Sequence, residues 1–508
     1  MNRTKVALFN SLSTAIYQVV VMIVGFITPK ILLSEYGSEI NGIVSSITQF
    51  ITYFNLVEAG IAGAAVYALY KPLAENDHHR ISVIVSSAKK FYVQAGLIFT
   101  LLVLALSIIY PFFVEVEGLS FALIFILVFV LGAKGFFEFF TLAKYRVILT
   151  ADQKTYVISN TSSIYIIIQT LIILILAKLH CNVVFVYALA IIAVFVRSTI
   201  LMIYVRRKYK YINYNAEVDE KALDKRWDAL FLQVVQAVQT GAPVVIATIF
   251  TSLKEVSIYT VYNMVLTGIN GVLSIFINGL YASFGDIIAR KEQKKLQSVY
   301  KEFEFLYYVI ITFVFSVAMI MIMPFIKLYT SNITDAEYMQ PVIGFLFVLN
   351  GILYSLKNPQ GMLIMSAGLY KETKVQCSIQ AGIIMVLGIL LAPKFGIIGI
   401  LIASCVSNIY RDIDMAIFVP KHVTKLDCLD SFIRMVTVLL LITICVLPTL
   451  FININVNSYL DWILSAIIVS ICTMCIILIY CIIFERKQFL GLINRFKNIL
   501  VRRGKKIE

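Results

Sequence analysis

Eight ionisable side chains lie more than a turn inside stretches of sequence that are otherwise apolar: Glu58, Lys134, Glu138, Arg197, Lys357, Arg411, Asp412 and Asp414. A charge at membrane depth is costly unless it faces a partner or water, so each is a candidate for contact with a charged or hydrated ligand. Lys134 and Glu138 are four residues apart, which puts them on one helical face where they can neutralise each other. Lys357 lies near the middle of its stretch. Arg197 and Arg411 lie about two turns from the end of theirs, close enough for the guanidinium to snorkel to the interface. Asp412 and Asp414 read as counter-charges to Arg411, while Glu58 meets no basic residue along its own helix before Lys71. Lys and Arg at depth suit a phosphate-bearing ligand, because Arg grips two oxygens at once and Lys acts as a compact charge. The four bases are matched by the four acids, so the interior is polar and not clearly basic.

Other chemistry is missing from the chain. No Gly-rich loop ends in Gly-Lys-Ser/Thr, and no His-Glu-x-x-His occurs. The four histidines, His78, His79, His180 and His422, all lie outside the depths of the apolar stretches, and no Ser/His/Asp set forms. Cys472 and Cys475 have a CxxC spacing without a nearby His or acid, which makes them packing residues and not a metal or redox site. No metal site, no cofactor and no catalytic activity are expected.

The elements that must position these charges are membrane helices. Apolar spans run near 7–29, 40–69, 91–114, 119–147, 155–177, 183–205, 228–251, 257–284, 303–326, 341–369, 375–393, 396–420, 432–453 and 459–484. Each is long enough to cross a hydrocarbon layer of roughly 30 Å. A hydrophobic share of 60% against 14% charged residues is that of a membrane protein. About four in five of the 43 Lys and Arg lie at the N-terminus, in or at the edges of the even-numbered gaps, and in the C-terminal tail. The positive-inside bias therefore puts both termini and the even gaps in the cytoplasm of a cell-membrane protein. The net charge of +14 then serves topology and anionic lipid head groups, not nucleic acid. The first span ends at Lys30 without a small-residue cleavage site and is expected to be retained.

The chain also repeats itself. Arg197 with its apolar run to Val205 returns as Arg411 with its run to Val419, and Thr150-Ala151 returns as Ser366-Ala367, about 215 residues on. Spans 1 and 7 start on the same side, so the repeat is parallel, about an axis along the membrane normal. The expected organisation is all-α and polytopic: a six-helix lobe at 1–205, a cytoplasmic linker at 206–227, a second six-helix lobe at 228–420, helices 13 and 14 at 421–484, and an amphipathic tail at 485–508. Several charges are expected to line a water-filled cavity between the halves. Gly25 and Pro29, Gly60 and Gly63, Gly268, Gly271 and Gly279, and Asn358-Pro359-Gly361 interrupt spans 1, 2, 8 and 10, either for close packing or for bending.

The segment Leu56-Val-Glu58-Ala-Gly60-Ile-Ala-Gly63-Ala-Ala-Val-Tyr67-Ala-Leu-Tyr70 resembles the second helix of bacterial polysaccharide-exporter flippases. The Asn10 to Gln18 stretch and the Ala151-Asp-Gln153-Lys154 turn resemble the same family, which shares a superfamily with lipid II flippases and with multidrug and toxin extrusion antiporters. The resemblance covers the whole chain in length and span count. It implies two six-helix lobes with a central cavity that alternates between the membrane faces, and two extra helices forming a groove for a lipid tail. The implied substrate is an oligosaccharide on undecaprenyl pyrophosphate, moved from the inner to the outer leaflet for surface polysaccharide synthesis. The first span, 7–29, has no Arg or Lys, unlike lipid II flippases, which favours a capsule, exopolysaccharide or teichoic-type unit. On that reading Lys134, Lys357, Arg197 and Arg411 contact pyrophosphate or sugar. Glu58 and Glu138 couple a cation, H+ or Na+, or position the bases. The partners are the lipid-linked oligosaccharide, membrane lipids and other polysaccharide-assembly proteins. A cation-coupled drug antiporter is the alternative. A membrane glycosyltransferase or polymerase is disfavoured by the short outer gaps.

Overall fold

The computed structural model describes residues 3–58, 60–219, 226–369, 371–451, 456–486 and 488–491. Among them the regular structure is helical throughout. Twelve helical runs are long and apolar enough to cross a membrane, and two of the twelve are double. The run Leu8–Glu75 has 68 residues, roughly 100 Å at the helical rise, about three times the hydrocarbon thickness. It turns at Gly37, whose φ of 84° is a conformation that side chains rarely adopt. The 51-residue run Lys374–Thr424 turns likewise at Gly396, φ 54°, just after Pro393. Two connections between crossings are thus single residues.

Fourteen crossings result: α1 (3–36), α2 (38–75), α3 (His78–Ile109), α4 (Phe121–Ala151), α5 (Thr155–Lys178), α6 (Val183–Lys208), α7 (Arg226–Phe250), α8 (253–289), α9 (Gln293–Tyr329), α10 (Pro341–Ala367), α11 (374–395), α12 (397–419), α13 (Cys428–Val446) and α14 (Tyr459–Ile483). The protein is an all-α polytopic membrane protein. Large apolar side chains such as Ile463, Ile467, Ile471 and Ile479 of α14 are about half exposed or more, an arrangement that suits lipid as the solvent.

The described chain divides into two compact units, one of 1–261 with Ile333–Ala336, the other of 262–332 with 337–508. In the first, α1 packs along α5, and α3 packs on α4. The α3–α4 contact depends on two glycines: a Cβ at Gly132 would lie 2.3 Å from Val103, and one at Gly135 would lie 2.3 Å from Phe99. This close approach fixes the rotation of α4, and with it the direction of Lys134. In the second unit α13 and α14 each lie along α9. Residues 492–508, most of the expected amphipathic tail, and 220–225 of the linker lie outside the described residues. Before that point Phe489 packs on the cluster of Phe305, Cys445, Ile477 and Cys481. Cys472 and Cys475, expected to pack, are instead exposed on α14 and unpaired.

Several crossings are broken, and the breaks carry charge. A 3-10 turn at Asn55–Glu58 followed by Gly60 (φ 94°) interrupts α2. A π-helical turn at Glu138–Leu142 interrupts α4. In α10 the helix stops at Leu356 and restarts at Asn358, leaving Lys357 at the joint. Pro359 causes that joint, since it has no N–H to donate and its ring collides with the carbonyl four residues back. Non-helical backbone at membrane depth persists only where protein or a wet cavity satisfies it.

Candidate functional site

The first unit gathers the charges of α2, α4 and α6. Glu138, at the start of the π turn, accepts a hydrogen bond from Arg197 Nη1 at 2.9 Å in an ion pair between α4 and α6. Arg197 is 8% exposed, so it is buried and does not snorkel. Its Nε has no hydrogen-bond partner among the described residues, which leaves one donor of the guanidinium unused. Lys134 lies one turn before Glu138, yet its Nζ stands 5.1 Å from the centre of the Tyr165 ring, and the Arg197 guanidinium stands 5.6 Å from the same ring. Tyr165 of α5 is therefore a shared cation–π face for two bases. The i, i+4 pairing of Lys134 with Glu138 gives way to the planar fork of Arg197, which suits a carboxylate better than an ammonium does. Glu58 lies within range of the charges of Arg146 and of Glu138, both on α4.

The second unit holds a different arrangement. Lys357 Nζ donates to Asn408 Oδ1 at 2.5 Å and lies 4.9 Å from the Tyr354 ring centre. Asn408 Oδ1 also accepts from Gln380 Nε2 at 3.2 Å, and Asn408 Nδ2 donates to Asn350 Oδ1 at 2.8 Å. One asparagine thereby joins α10, α11 and α12. The break itself is closed by α9: Tyr308 donates to the Leu356 carbonyl at 3.1 Å, and Asn358 Nδ2 donates to Tyr307 at 2.9 Å. Arg411 is 2% exposed and does not snorkel either; it pairs with Asp414 and donates to Cys377 Sγ at 3.3 Å. Asp412 departs from the sequence expectation. It is 5% exposed, neither carboxylate oxygen has a hydrogen-bond partner among the described residues, and the charge it feels is that of Lys357.

Two basic residues that the charge pattern assigned to cytoplasmic gaps belong to these interiors. Arg146 lies in α4 beside Glu58 and Tyr92. Arg434 of α13 pairs with Glu304 of α9 at 3.0 Å. Glu304 is 2% exposed and also accepts from Tyr300 at 2.9 Å, Ser431 at 3.2 Å and Gln360 at 3.2 Å. This network ties α13 to α9 and α10. Arg434 also borders a narrow apolar cleft with Phe305, Val309, Leu441, Ile477 and Tyr480, between α9, α13 and α14.

The segments that carried the resemblance also have local roles. Asn10 donates to the Gln153 carbonyl at 2.7 Å and accepts from the Tyr156 N–H at 2.9 Å, so it fastens α1 to the turn that opens α5. In that turn Gln153 has φ 57°, Lys154 pairs with Asp152, and Tyr209 donates to Asp152 at 2.5 Å. Burial, and then the Asp152 carboxylate, push the Tyr209 phenol well above its usual range.

No protein-family model and no curated protein matches the chain. Solved structures do. A lipid II flippase, MurJ, in an inward closed conformation aligns at a TM-score of 0.71 and 15% identity, covering 94% of this chain and 99% of that one. A MATE-family multidrug resistance transporter of the MOP superfamily, in its inward-facing conformation, aligns at 0.65 and 13% identity, covering 84% and 98%. A MOP superfamily transporter from Pyrococcus furiosus aligns at 0.53 and 14% identity, covering 85% and 96%. The chain therefore shares its fold with these structures, which are a flippase and transporters.

Proposed function

We propose that this protein is a flippase that carries a lipid-linked oligosaccharide, on undecaprenyl pyrophosphate, from the inner to the outer leaflet by alternating access. The reading rests above all on the lipid II flippase alignment, which takes in 94% of the chain. The MATE alignment takes in 84% of the chain. Moving a charged, hydrated head group through hydrocarbon is the physical difficulty, and buried polar side chains remove much of that cost. Arg197, with a spare donor, and Lys134, Lys357 and Arg411 are the candidates for pyrophosphate or sugar. Glu58 and Glu138 are the candidates for coupling to H+ or Na+, or for holding the bases. Membrane lipids and polysaccharide-assembly proteins are the partners on this reading, in the cytoplasmic membrane with both termini inside, as the Lys/Arg distribution suggests.

Deleting the gene is expected to cause lipid-linked oligosaccharide to accumulate on the inner leaflet and surface polysaccharide to fall. Normal surface polysaccharide without accumulation contradicts the proposal. The MATE likeness favours one second reading, a cation-coupled small-molecule antiporter. That reading expects neutral substitutions of Lys134 and Lys357 to be tolerated and a cationic dye to be exported.

A further inference from the structure

We infer that the loop between α9 and α10 is a releasable latch on α2, and that Asp335 is its positioning residue. The chain turns at Gly37, and a new helix begins at Ser38. The first N–H groups of a helix have no acceptor within it, and its N-terminal end favours negative charge. Asp335 meets both needs: Oδ2 accepts from the Ser38 N–H at 2.7 Å and Oδ1 accepts from Ser38 Oγ at 2.8 Å. Ser38 is completely buried. A Cβ on residue 37 would lie 3.0 Å from Asp335 Oδ2, so the carboxylate occupies the notch that glycine leaves.

The cap is supplied from nearly three hundred residues away in the chain. The helices on either side of the loop, α9 and α10, belong wholly to the second compact unit, whereas Ile333–Ala336 belong to the first. The loop thus leaves its neighbours to serve α2. Further contacts hold the same end of α2: Asn41 donates to Ser257 at 2.7 Å with both buried, and Lys254 pairs with Glu39 at 3.7 Å. A Cβ at Gly42 would lie 2.0 Å from the Leu253 carbonyl oxygen, so α2 and α8 touch backbone to backbone there. This end of α2 is the Lys/Arg-poor end, the outer one by the charge distribution. A carboxylate held by two hydrogen bonds on a strap of chain can let go as a unit, whereas the backbone contact at Gly42 cannot loosen without moving a helix. The latch rests on the transport reading for its purpose: while Asp335 is seated the outer end of α2 is held, and its release accompanies opening toward the outer leaflet.

The test uses full-length protein in lipid nanodiscs, with Asp335→Ala and the milder Asp335→Asn. Hydrogen exchange of the peptide covering 38–42 is expected to quicken about fivefold or more in Asp335→Ala, in line with loss of a helix cap, and by less in Asp335→Asn. In parallel, an Asn41→Cys reporter, labelled with a membrane-impermeant maleimide and quantified site by site, is expected to react faster when Asp335 is replaced. Unchanged exchange in both variants overturns the cap. Faster exchange with unchanged labelling of the Asn41→Cys reporter overturns the latch, leaving Asp335 as a static cap. Both readouts are independent of substrate, so a failure of the wild type to move lipid-linked oligosaccharide would sink the transport reading without touching this result.

Discussion

The broken crossings α4 and α10, which the sequence pattern pairs as repeat partners, settle their charges in opposite ways. In α4 the break is a π turn, and Glu138 at its start is neutralised by Arg197, with Lys134 and Arg197 sharing the Tyr165 face. In α10 the break is made by Asn358-Pro359, and Lys357 at the joint is held by a neutral amide while Asp412 has no hydrogen bond among the described residues. The α4 break neutralises charge with charge. The α10 break solvates a cation with an amide and leaves a carboxylate open. Charge held in a fixed pair is expensive to disturb, whereas charge held by amides can change partner cheaply. On the proposed function, stability falls mainly to the α4 cluster and exchange with a ligand mainly to the α10 cluster.

Substitutions sharpen the contrast in descending order of effect. Arg197→Ala strands a carboxylate in the first unit, and the expected loss is about 3–5 kcal/mol. Thermal unfolding in detergent would register it, and Glu138→Gln combined with Arg197→Met should recover a good part. A loss below about 1 kcal/mol would mean that the pair is wet and of little consequence. Lys357→Met is expected to cost about 1–3 kcal/mol, because Asn408 keeps Gln380 and Asn350 as partners, while complementation of the deletion strain is abolished at normal protein level. Full complementation would remove Lys357 from the site. Arg411→Lys keeps the charge but loses the fork toward Asp414 and Cys377, with an expected stability change of about 1 kcal/mol and reduced transport. Asn10→Ala removes two hydrogen bonds at the α1–α5 joint and is expected to lower stability by about 1 kcal/mol with transport retained. If Asn10→Ala abolishes transport in stable protein, the joint does more than fasten α1.

The membrane crossings were legible because hydropathy is summed over many residues, and no single contact can overturn it. The breaks were legible in part: Gly60 and Asn358-Pro359 announce themselves by residue type, while the π turn at Glu138–Leu142 has no such marker. The partners of the charges were mostly not legible. Tyr165, Asn408 and Gln380 are neutral side chains in apolar runs, and only packing of separate helices brings them to Lys134 and Lys357. Arg146 and Arg434 were readable as charges but not as interior ones. They lie near the ends of their crossings, where a basic residue reads as a topology signal. The spacing of Lys134 and Glu138 pointed to a pair that the structure replaces with Glu138 and Arg197, since local spacing cannot anticipate a competitor on α6.

The most direct test of the central proposal is reconstitution. Purified protein is placed in liposomes with a fluorescent oligosaccharide on a polyprenyl pyrophosphate, and a membrane-impermeant quencher reports the leaflet that holds it. Wild-type protein is expected to equilibrate the probe between leaflets far faster than protein-free liposomes, and Lys357→Met is expected to abolish that movement while the protein stays folded. Unaltered probe distribution in wild-type liposomes that do transport a cationic dye would contradict the flippase assignment and leave the small-molecule antiporter in its place.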